Sequence, residues 1–126
     1  MESEAIMTDT LSSAPVDRDG LPEVIRRYLT VHNAGDASAS AALMTPNAQV
    51  TDDGKTYDGL PAIEQWLNRA ASEYTYTTTY VGAVEDAPDR WTVTQRLDGN
   101  FPGNTIELRY DFTLEGGLIR RLVIAP

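Results

Sequence analysis

The stretch IELRYDFTLEGGLIRRLVIA, residues 106–125, decides the fold. Apolar and polar residues alternate from Ile106 to Leu114, a period typical of a strand that buries one face. Gly116–Gly117 marks a hairpin turn, and a second apolar segment follows it at Leu118–Ala125. The stretch therefore predicts two antiparallel strands. The side chains predicted to face the core from the first of them are Leu108, Tyr110, Phe112 and Leu114.

Two more long strands precede this hairpin. Residues 91–97 alternate in the same way, with Trp91, Val93 and Leu97 on the apolar side. The segment Tyr74–Val84 is rich in Tyr, Thr and Val, the residues that a pleated surface favours. We therefore expect a meander of four antiparallel strands.

The N-terminal half has helical spacing instead. It predicts helices at Leu21–Asn33 and Ala37–Met44, with Asp19 and Asp36 as their caps, and a third helix that begins after Asp58. A short strand at Ala48–Asp52 and a partner at Lys55–Tyr57 lie before the third helix. Helices segregated from a long meander predict an α+β domain with the helices on one face of a curved antiparallel sheet.

Composition limits the functions to consider. The 126 residues suffice for one domain, and residues 1–20, with five acids and one arginine, predict a disordered acidic tail ahead of a domain at 21–126. The net charge of −9 argues against nucleic acid and anionic membrane as partners. Without cysteine and with one histidine, the chain predicts no metal and no cofactor. No secretory signal is recognisable, so we expect a bacterial cytoplasmic protein.

Four segments carry a resemblance to a known family. They are RYLTVHNAGD (27–36), TPNAQVTD (45–52), DGLPAIEQWL (58–67) and FTLEGGLI (112–119). Together they resemble the nuclear transport factor 2-like superfamily, and within it the SnoaL-like polyketide cyclase group and ketosteroid isomerase. The resemblance covers nearly all of residues 21–126. It implies a cystatin-like cone, in which a bent sheet wraps around three N-terminal helices and an apolar pocket opens at one end.

The resemblance also implies catalytic residues. Asp52 and Tyr28 match, without a gap, the general base and the oxyanion-stabilising tyrosine of ketosteroid isomerase. A carboxylate in an apolar pocket loses hydration and becomes a stronger base, and a tyrosine hydroxyl can donate to a developing enolate oxygen. His32, one helical turn beyond Tyr28, is a candidate auxiliary acid or base.

Structural interpretations of these residues stay open. Asp52–Asp53–Gly54 is also typical of a turn, so either aspartate is a candidate for the pocket. Tyr28 is also a candidate for an ordinary aromatic residue of the core, and His32 for a histidine with a structural role. The same ambiguity holds for the candidate substrate-binding aromatics, which are Tyr57, Trp66, Tyr76, Tyr80, Trp91, Tyr110 and Phe112.

Strand parity places other charged residues outside the cone. Glu107 is the nearest candidate for a second oxyanion donor, but it lies on the predicted outer face. The residues available for an epoxide-hydrolase-like Asp–Arg–Asp relay lie on the same face; they are Arg96, Arg109 and Asp111. The same face is rich in threonine, and the resemblance implies sheet-to-sheet dimers. We therefore expect a homodimer through the outer sheet face.

Two hypotheses follow for function. The first is a cofactor-independent isomerase or cyclase that abstracts a proton next to a carbonyl of a hydrophobic small molecule. The second is a non-catalytic, dimeric module of the same fold, which binds a small molecule or serves a structural role.

Overall fold

The computed structural model of the protein describes residues 16–73 and 75–126. Three α-helices occupy the N-terminal half: α1 (Glu23–Asn33), α2 (Ala37–Ala41) and α3 (Leu60–Glu73). Six strands complete the described fold: β1 (Met44–Asp52), β2 (Lys55–Asp58), β3 (Tyr76–Ala87), β4 (Arg90–Gly99), β5 (Thr105–Glu115) and β6 (Leu118–Ala125).

The strands form one sheet in the order β2-β1-β6-β5-β4-β3. The four C-terminal strands pair antiparallel along the chain, as the sequence predicts. The pairing of β1 with β6 is parallel, and it brings Asp52 beside Ile124. Three helices on a curved sheet of six strands confirm the predicted α+β cone.

The inner face of the sheet and the helices share one core. Tyr110 and Phe112 are buried, whereas Glu107 and Arg109 on the opposite parity are exposed. The alternation therefore orients the strands as predicted. The fully buried centre of the core joins α1, α3 and the sheet, and includes Ile25, Tyr28, Leu29, Val50, Ile63, Phe112 and Leu122.

The helix boundaries differ from the predicted ones. α1 begins at Glu23 with Pro22 at its N-cap, and Asp19 lies in a short 3-10 turn instead of capping it. α2 ends at Ala41, because the following residues join the sheet: the Ile119 amide donates to the Leu43 carbonyl at 2.9 Å. The predicted cap at Asp36 is confirmed, since its carboxylate accepts from the Ala39 amide at 3.0 Å.

The predicted acidic tail overlaps the described domain. Residues 1–15 lie outside the described residues, as does Tyr74, where the sequence placed the start of β3. Val16 contacts β3: its amide donates to the Ala83 carbonyl at 2.7 Å, and its carbonyl accepts from the Tyr80 hydroxyl. Arg18 donates to Thr30 Oγ1 at 2.6 Å. The packed domain therefore includes residues on the N-terminal side of the predicted boundary at residue 21.

Candidate functional site

The hairpin between β1 and β2 separates the two adjacent aspartates. Asp52 ends β1 and pairs with Lys55, which leaves a two-residue turn. Asp53 and Gly54 in that turn have φ angles of 54° and 78°, the left-handed values that a tight type I′ hairpin requires. Asp53 is exposed, whereas Asp52 is partly buried and continues the inward-facing parity of Val50. Asp52 is therefore the carboxylate that faces the cone.

Helix α3 supplies a hydrogen-bond donor to Asp52. Its buried residues Ile63, Trp66 and Leu67 share one helical face and cover the sheet. The Trp66 indole Nε1 donates to Asp52 Oδ2 at 2.9 Å. The hydrogen bond fixes the orientation of the Asp52 carboxylate relative to α3.

A second polar contact joins Tyr28 and His32 on α1. The Tyr28 hydroxyl lies 3.3 Å from His32 Nδ1, and the two rings stack with centroids 5.1 Å apart. His32 also stacks on Trp66 at 6.0 Å and meets Tyr110 edge-on at 6.4 Å. His32 therefore lies at the centre of an aromatic cluster that connects α1, α3 and β5.

Burial fixes the protonation states in this cluster. It lowers the pKa of His32 to about 4, so the ring is neutral near pH 7. Burial also raises the pKa of Tyr28 well above its ordinary value, and the nearby Tyr110 and Asp52 raise it further. The pKa of Tyr76 is raised by burial and then by Asp52. The phenols therefore remain protonated and can donate hydrogen bonds.

The predicted substrate-binding aromatics divide into two groups. Trp66 and Tyr110 contact His32, Tyr57 stacks on Trp66 at 6.0 Å, and the charge of Asp52 acts on Tyr76. These four therefore surround Asp52 and His32.

The other three aromatics lie elsewhere. Phe112 packs edge-on against Tyr28 with centroids 5.7 Å apart, deeper in the core. Tyr80 places its hydroxyl at the Val16 carbonyl. Trp91 is buried opposite Phe112, and within the described residues no ring contact or hydrogen bond joins it to Asp52 or His32.

Gln95 is a buried polar residue on the inner face of the sheet that the sequence analysis missed. It is 2% exposed and lies on β4 between Val93 and Leu97, on the same inward parity. Its amide is close enough to the Tyr110 hydroxyl to lower the pKa of that phenol, against the larger opposite effect of burial. The signal was present, because residue 95 falls on the inward side of the alternation from Trp91 to Leu97.

Residues 16–73 and 75–126, which the structure describes, contain no group of three His, Cys, Asp or Glu side chains arranged to hold a metal ion. None of their helices is both long enough and apolar enough to cross a bilayer.

Comparison with known proteins identifies the family. Residues 25–122 match the sequence profile of the SnoaL-like domain. The chain belongs to the SnoaL-like family. No curated protein matches this SnoaL-like chain.

Solved structures agree with this assignment. A Sinorhizobium meliloti protein provisionally named a polyketide cyclase is 29% identical to the SnoaL-like chain, with a TM-score of 0.81 over 87% of this chain and 100% of that one. A Catenulispora acidiphila protein with a ketosteroid isomerase-like fold, in complex with trimethylamine, is 18% identical, with a TM-score of 0.73 over 83% and 85% of the two chains. A Sphaerobacter thermophilus protein is 22% identical, with a TM-score of 0.71 over 82% and 92%. The last two likenesses show the fold.

The position of Tyr28 in this SnoaL-like domain bears on its predicted role. The residue is 0% exposed, and its hydroxyl is directed to His32 Nδ1. His32 is only partly buried, so the histidine lies between the tyrosine and the more accessible part of the cluster. If the Tyr28 hydroxyl donates to His32 Nδ1, its proton is used in that contact; if Nδ1 carries the proton, the hydroxyl accepts from it and can donate elsewhere.

Proposed function

We propose that this protein is a cofactor-independent isomerase or cyclase that abstracts a proton next to a carbonyl of a hydrophobic small molecule. One observation carries the proposal. Asp52 faces the cone, accepts a hydrogen bond from Trp66 at 2.9 Å, and is surrounded by aromatic side chains, whereas its neighbour Asp53 is an exposed turn residue. A base held in a largely apolar site meets the requirement for removing a proton from carbon.

The proposed step uses three side chains. Asp52 takes a proton from the carbon next to the carbonyl. The electron pair of that C–H bond forms a C=C bond to the carbonyl carbon, and the C=O π pair moves to the oxygen to give an enolate. If the Tyr28 hydroxyl donates to His32 Nδ1, the neutral ring carries its proton on Nε2. His32 is then the donor to the enolate oxygen, and Tyr28 acts through it as a positioning residue. When the substrate is a β,γ-unsaturated ketone the enolate is a conjugated dienolate, and Asp52 returns the proton to its γ carbon, which moves the C=C bond into conjugation and completes the isomerisation.

The relatives support small-molecule chemistry in this fold. The name of the Sinorhizobium meliloti protein is that of a cyclase, and the Catenulispora acidiphila structure holds trimethylamine. We also propose that the enzyme is a bacterial cytoplasmic protein.

The isomerisation of cyclohex-3-en-1-one to its conjugated isomer tests the proposal by ultraviolet absorbance. We expect catalysis by the wild type and a fall of about 10²–10⁴-fold for Asp52→Asn, which keeps an acceptor for Trp66 but loses the base. Asp53→Asn is the matched control, and it should retain wild-type activity because asparagine tolerates the left-handed turn. Equal rates for the wild type and Asp52→Asn would contradict the proposal.

One observation favours the alternative, a binding module without turnover. Trp66 and Met44 are each only 3% exposed, and Trp66 stacks between Tyr57 and His32, so side chains fill much of the interior. If the wild type binds cyclohexanone but does not accelerate the isomerisation, this alternative replaces the enzyme hypothesis.

We also propose that the protein is a homodimer through the outer sheet face. A groove of about 490 Å³ lies there, and Val81 at its edge is 50% exposed. Glu107 and Arg109 both line the groove, so a twofold axis can place the arginine of one copy on the glutamate of the other.

Light scattering at micromolar concentration tests the dimer. The wild type should have twice the mass of the 13.8 kDa chain, and Val81→Lys should reduce it to one chain. Thr56→Lys, at an exposed position on β2, is the control and should remain dimeric. A single-chain mass for the wild type would contradict the dimer.

A further inference from the structure

Arginine side chains converge on a cavity along the solvent-facing side of α1. The cavity has a volume of about 530 Å³, which is within the range of small-molecule sites. Its lining comes from α1 and the preceding 3-10 turn, and it includes neither Asp52 nor His32. Three of the ten Lys and Arg residues of this acidic chain lie here: Arg18, Arg26 and Arg27. The candidate site around Asp52 gives no reason for this concentration of positive charge.

Neutral acceptors hold the Arg18 side chain over α1. Its Nη2 donates to Thr30 Oγ1 at 2.6 Å and, at the longer distance of 3.4 Å, to the Arg26 carbonyl oxygen. Neither acceptor is charged, so these contacts orient the guanidinium without neutralising it. No carboxylate in residues 16–73 and 75–126 forms an ion pair with Arg18. A positive charge is therefore fixed in position at the cavity.

Arg26 adds a second uncompensated charge, which is partly withdrawn from water. The residue is half-buried, and its Nε is a buried donor without a hydrogen-bond partner in the part of the chain that the structure describes. It also forms no ion pair there. A charge that has lost hydration interacts more strongly with an opposite charge than one in bulk water. An anion in the cavity would compensate this guanidinium.

The carboxylates of the cavity limit the charge of such an anion. Glu23 lies 3.7 Å from Arg27, so these two side chains neutralise each other. Two arginines, Arg18 and Arg26, against one aspartate, Asp19, leave a net charge of +1. One negative charge on the ligand restores neutrality, whereas a second would meet Asp19 and the overall charge of −9. The planar guanidinium matches the two oxygens of a carboxylate.

We propose that this cavity is a second ligand site, separate from Asp52, that binds the carboxylate of a small organic acid at Arg18 and Arg26. The cavity is far larger than a carboxylate group alone, and Val31 and the aliphatic stem of Arg26 offer apolar contact to the rest of the ligand. The ligand class is therefore a monocarboxylic acid with an apolar body. The inference requires neither turnover nor a base at Asp52.

Benzoate and benzamide are matched probes for this site, because they have nearly the same shape and differ in charge. Their binding to the full chain can be followed by ¹H–¹⁵N chemical-shift titration at constant pH and ionic strength. Hydrogen bonds to a charged group predict that benzoate binds about 10-fold more tightly than benzamide. Acetate, which lacks the apolar body, should bind more weakly than benzoate. The largest shift changes should lie at the amides of residues 18, 26, 27, 30 and 31.

Variants locate the source of the charge preference. Arg26→Met keeps an apolar stem and removes the charge, so it should lower benzoate affinity about 10-fold, to the level of benzamide. Arg18→Met should act in the same direction, and its exposed position keeps the test valid if Arg26→Met does not fold. Arg96→Met is the matched control: Arg96 is exposed on β4 and pairs with Asp98 at 3.2 Å, so this variant should keep the wild-type affinity.

The outcomes distinguish this inference from the proposed function. Asp52→Asn should lose turnover and keep the affinity for benzoate. Equal binding of benzoate and benzamide, or benzoate shift changes concentrated around Asp52 and the Trp66 indole, overturns the inference. Unchanged benzoate affinity in both Arg18→Met and Arg26→Met also overturns it. Tighter binding of phenyl phosphate than of benzoate at equal ionic strength would overturn the assignment to monocarboxylic acids.

Discussion

Polar side chains are exposed to solvent on the outer face of the sheet and buried on the inner face. On the outer face, Arg90 and Asp111 form an ion pair at 3.1 Å, yet their side chains remain 53% and 35% exposed. On the inner face, Gln95 is 2% exposed, and His32 of α1, whose ring meets Tyr110 on this face, is kept neutral by burial. The same strands thus carry solvated charges on one side and desolvated polar groups on the other.

This difference in exposure indicates that polar side chains on the inner face interact more strongly than those on the outer face. An exposed ion pair is weakened by water and salt and contributes little to stability or to a reaction. A polar group inside the cone keeps its full hydrogen-bonding strength and its altered protonation state. The energetic consequences of substitution should therefore be large on the inner face and small on the outer face.

The largest expected effect is the pH dependence that His32 gives to stability. Its pKa is about 4 in the folded protein and about 6.5 in the unfolded chain, so between these values the unfolded state binds more protons. The free energy of unfolding should therefore fall as the pH drops from 6.5 to 4, by about 3 kcal/mol from this group.

Urea titrations of the wild type and His32→Phe across this pH range measure the contribution. Phenylalanine keeps a ring for stacking on Tyr28 and Trp66 but does not titrate. The loss of stability between pH 6.5 and 4 should be about 3 kcal/mol smaller in the variant. Parallel curves for the two proteins would show that His32 titrates as a solvated group.

A smaller effect is expected at the Asp52–Trp66 hydrogen bond. Asp52→Leu leaves the buried Trp66 indole N–H without this acceptor, which should lower the free energy of unfolding by about 1–3 kcal/mol. Asp52→Asn keeps an acceptor oxygen and should change stability by less than about 0.5 kcal/mol. Equal stabilities for the two variants in urea denaturation would mean that the bond contributes nothing.

The smallest effect is expected on the outer face. Arg90→Ala should lower the free energy of unfolding by less than about 1 kcal/mol, and the difference should shrink in high salt because the pair is exposed. Urea denaturation at low and high ionic strength measures both quantities. If Arg90→Ala lowered the free energy of unfolding as much as Asp52→Leu, the expected energetic difference between the two faces of the sheet would be wrong.

The sequence predicts the features that depend on local patterns. Alternation from Ile106 to Leu114 is enough to orient β5, because a one-residue shift in a strand would bury Arg109. The cap at Asp36 is likewise local. The parallel pairing of β1 with β6 joins segments about 70 residues apart, and no local pattern encodes it.

The candidate site is predictable only in part for the same reason. Asp52 could be named from its position before the turn, but its selection over Asp53 depends on the hairpin geometry and on Trp66 of a distant helix. The Tyr28–His32 contact depends on side-chain orientation within α1. Gln95 was overlooked because a polar residue within an apolar alternation contradicts the pattern used to find strands.

Deuterium incorporation into cyclohexanone tests the central claim, that Asp52 removes a proton next to a carbonyl. The exchange of these protons in D₂O, followed by NMR, reports the abstraction step whatever reaction follows it. The account predicts exchange above the buffer rate for the wild type and Asp53→Asn, and a fall of about 10²–10⁴-fold for Asp52→Asn. Exchange at the buffer rate with the wild type, or undiminished exchange with Asp52→Asn, would contradict it.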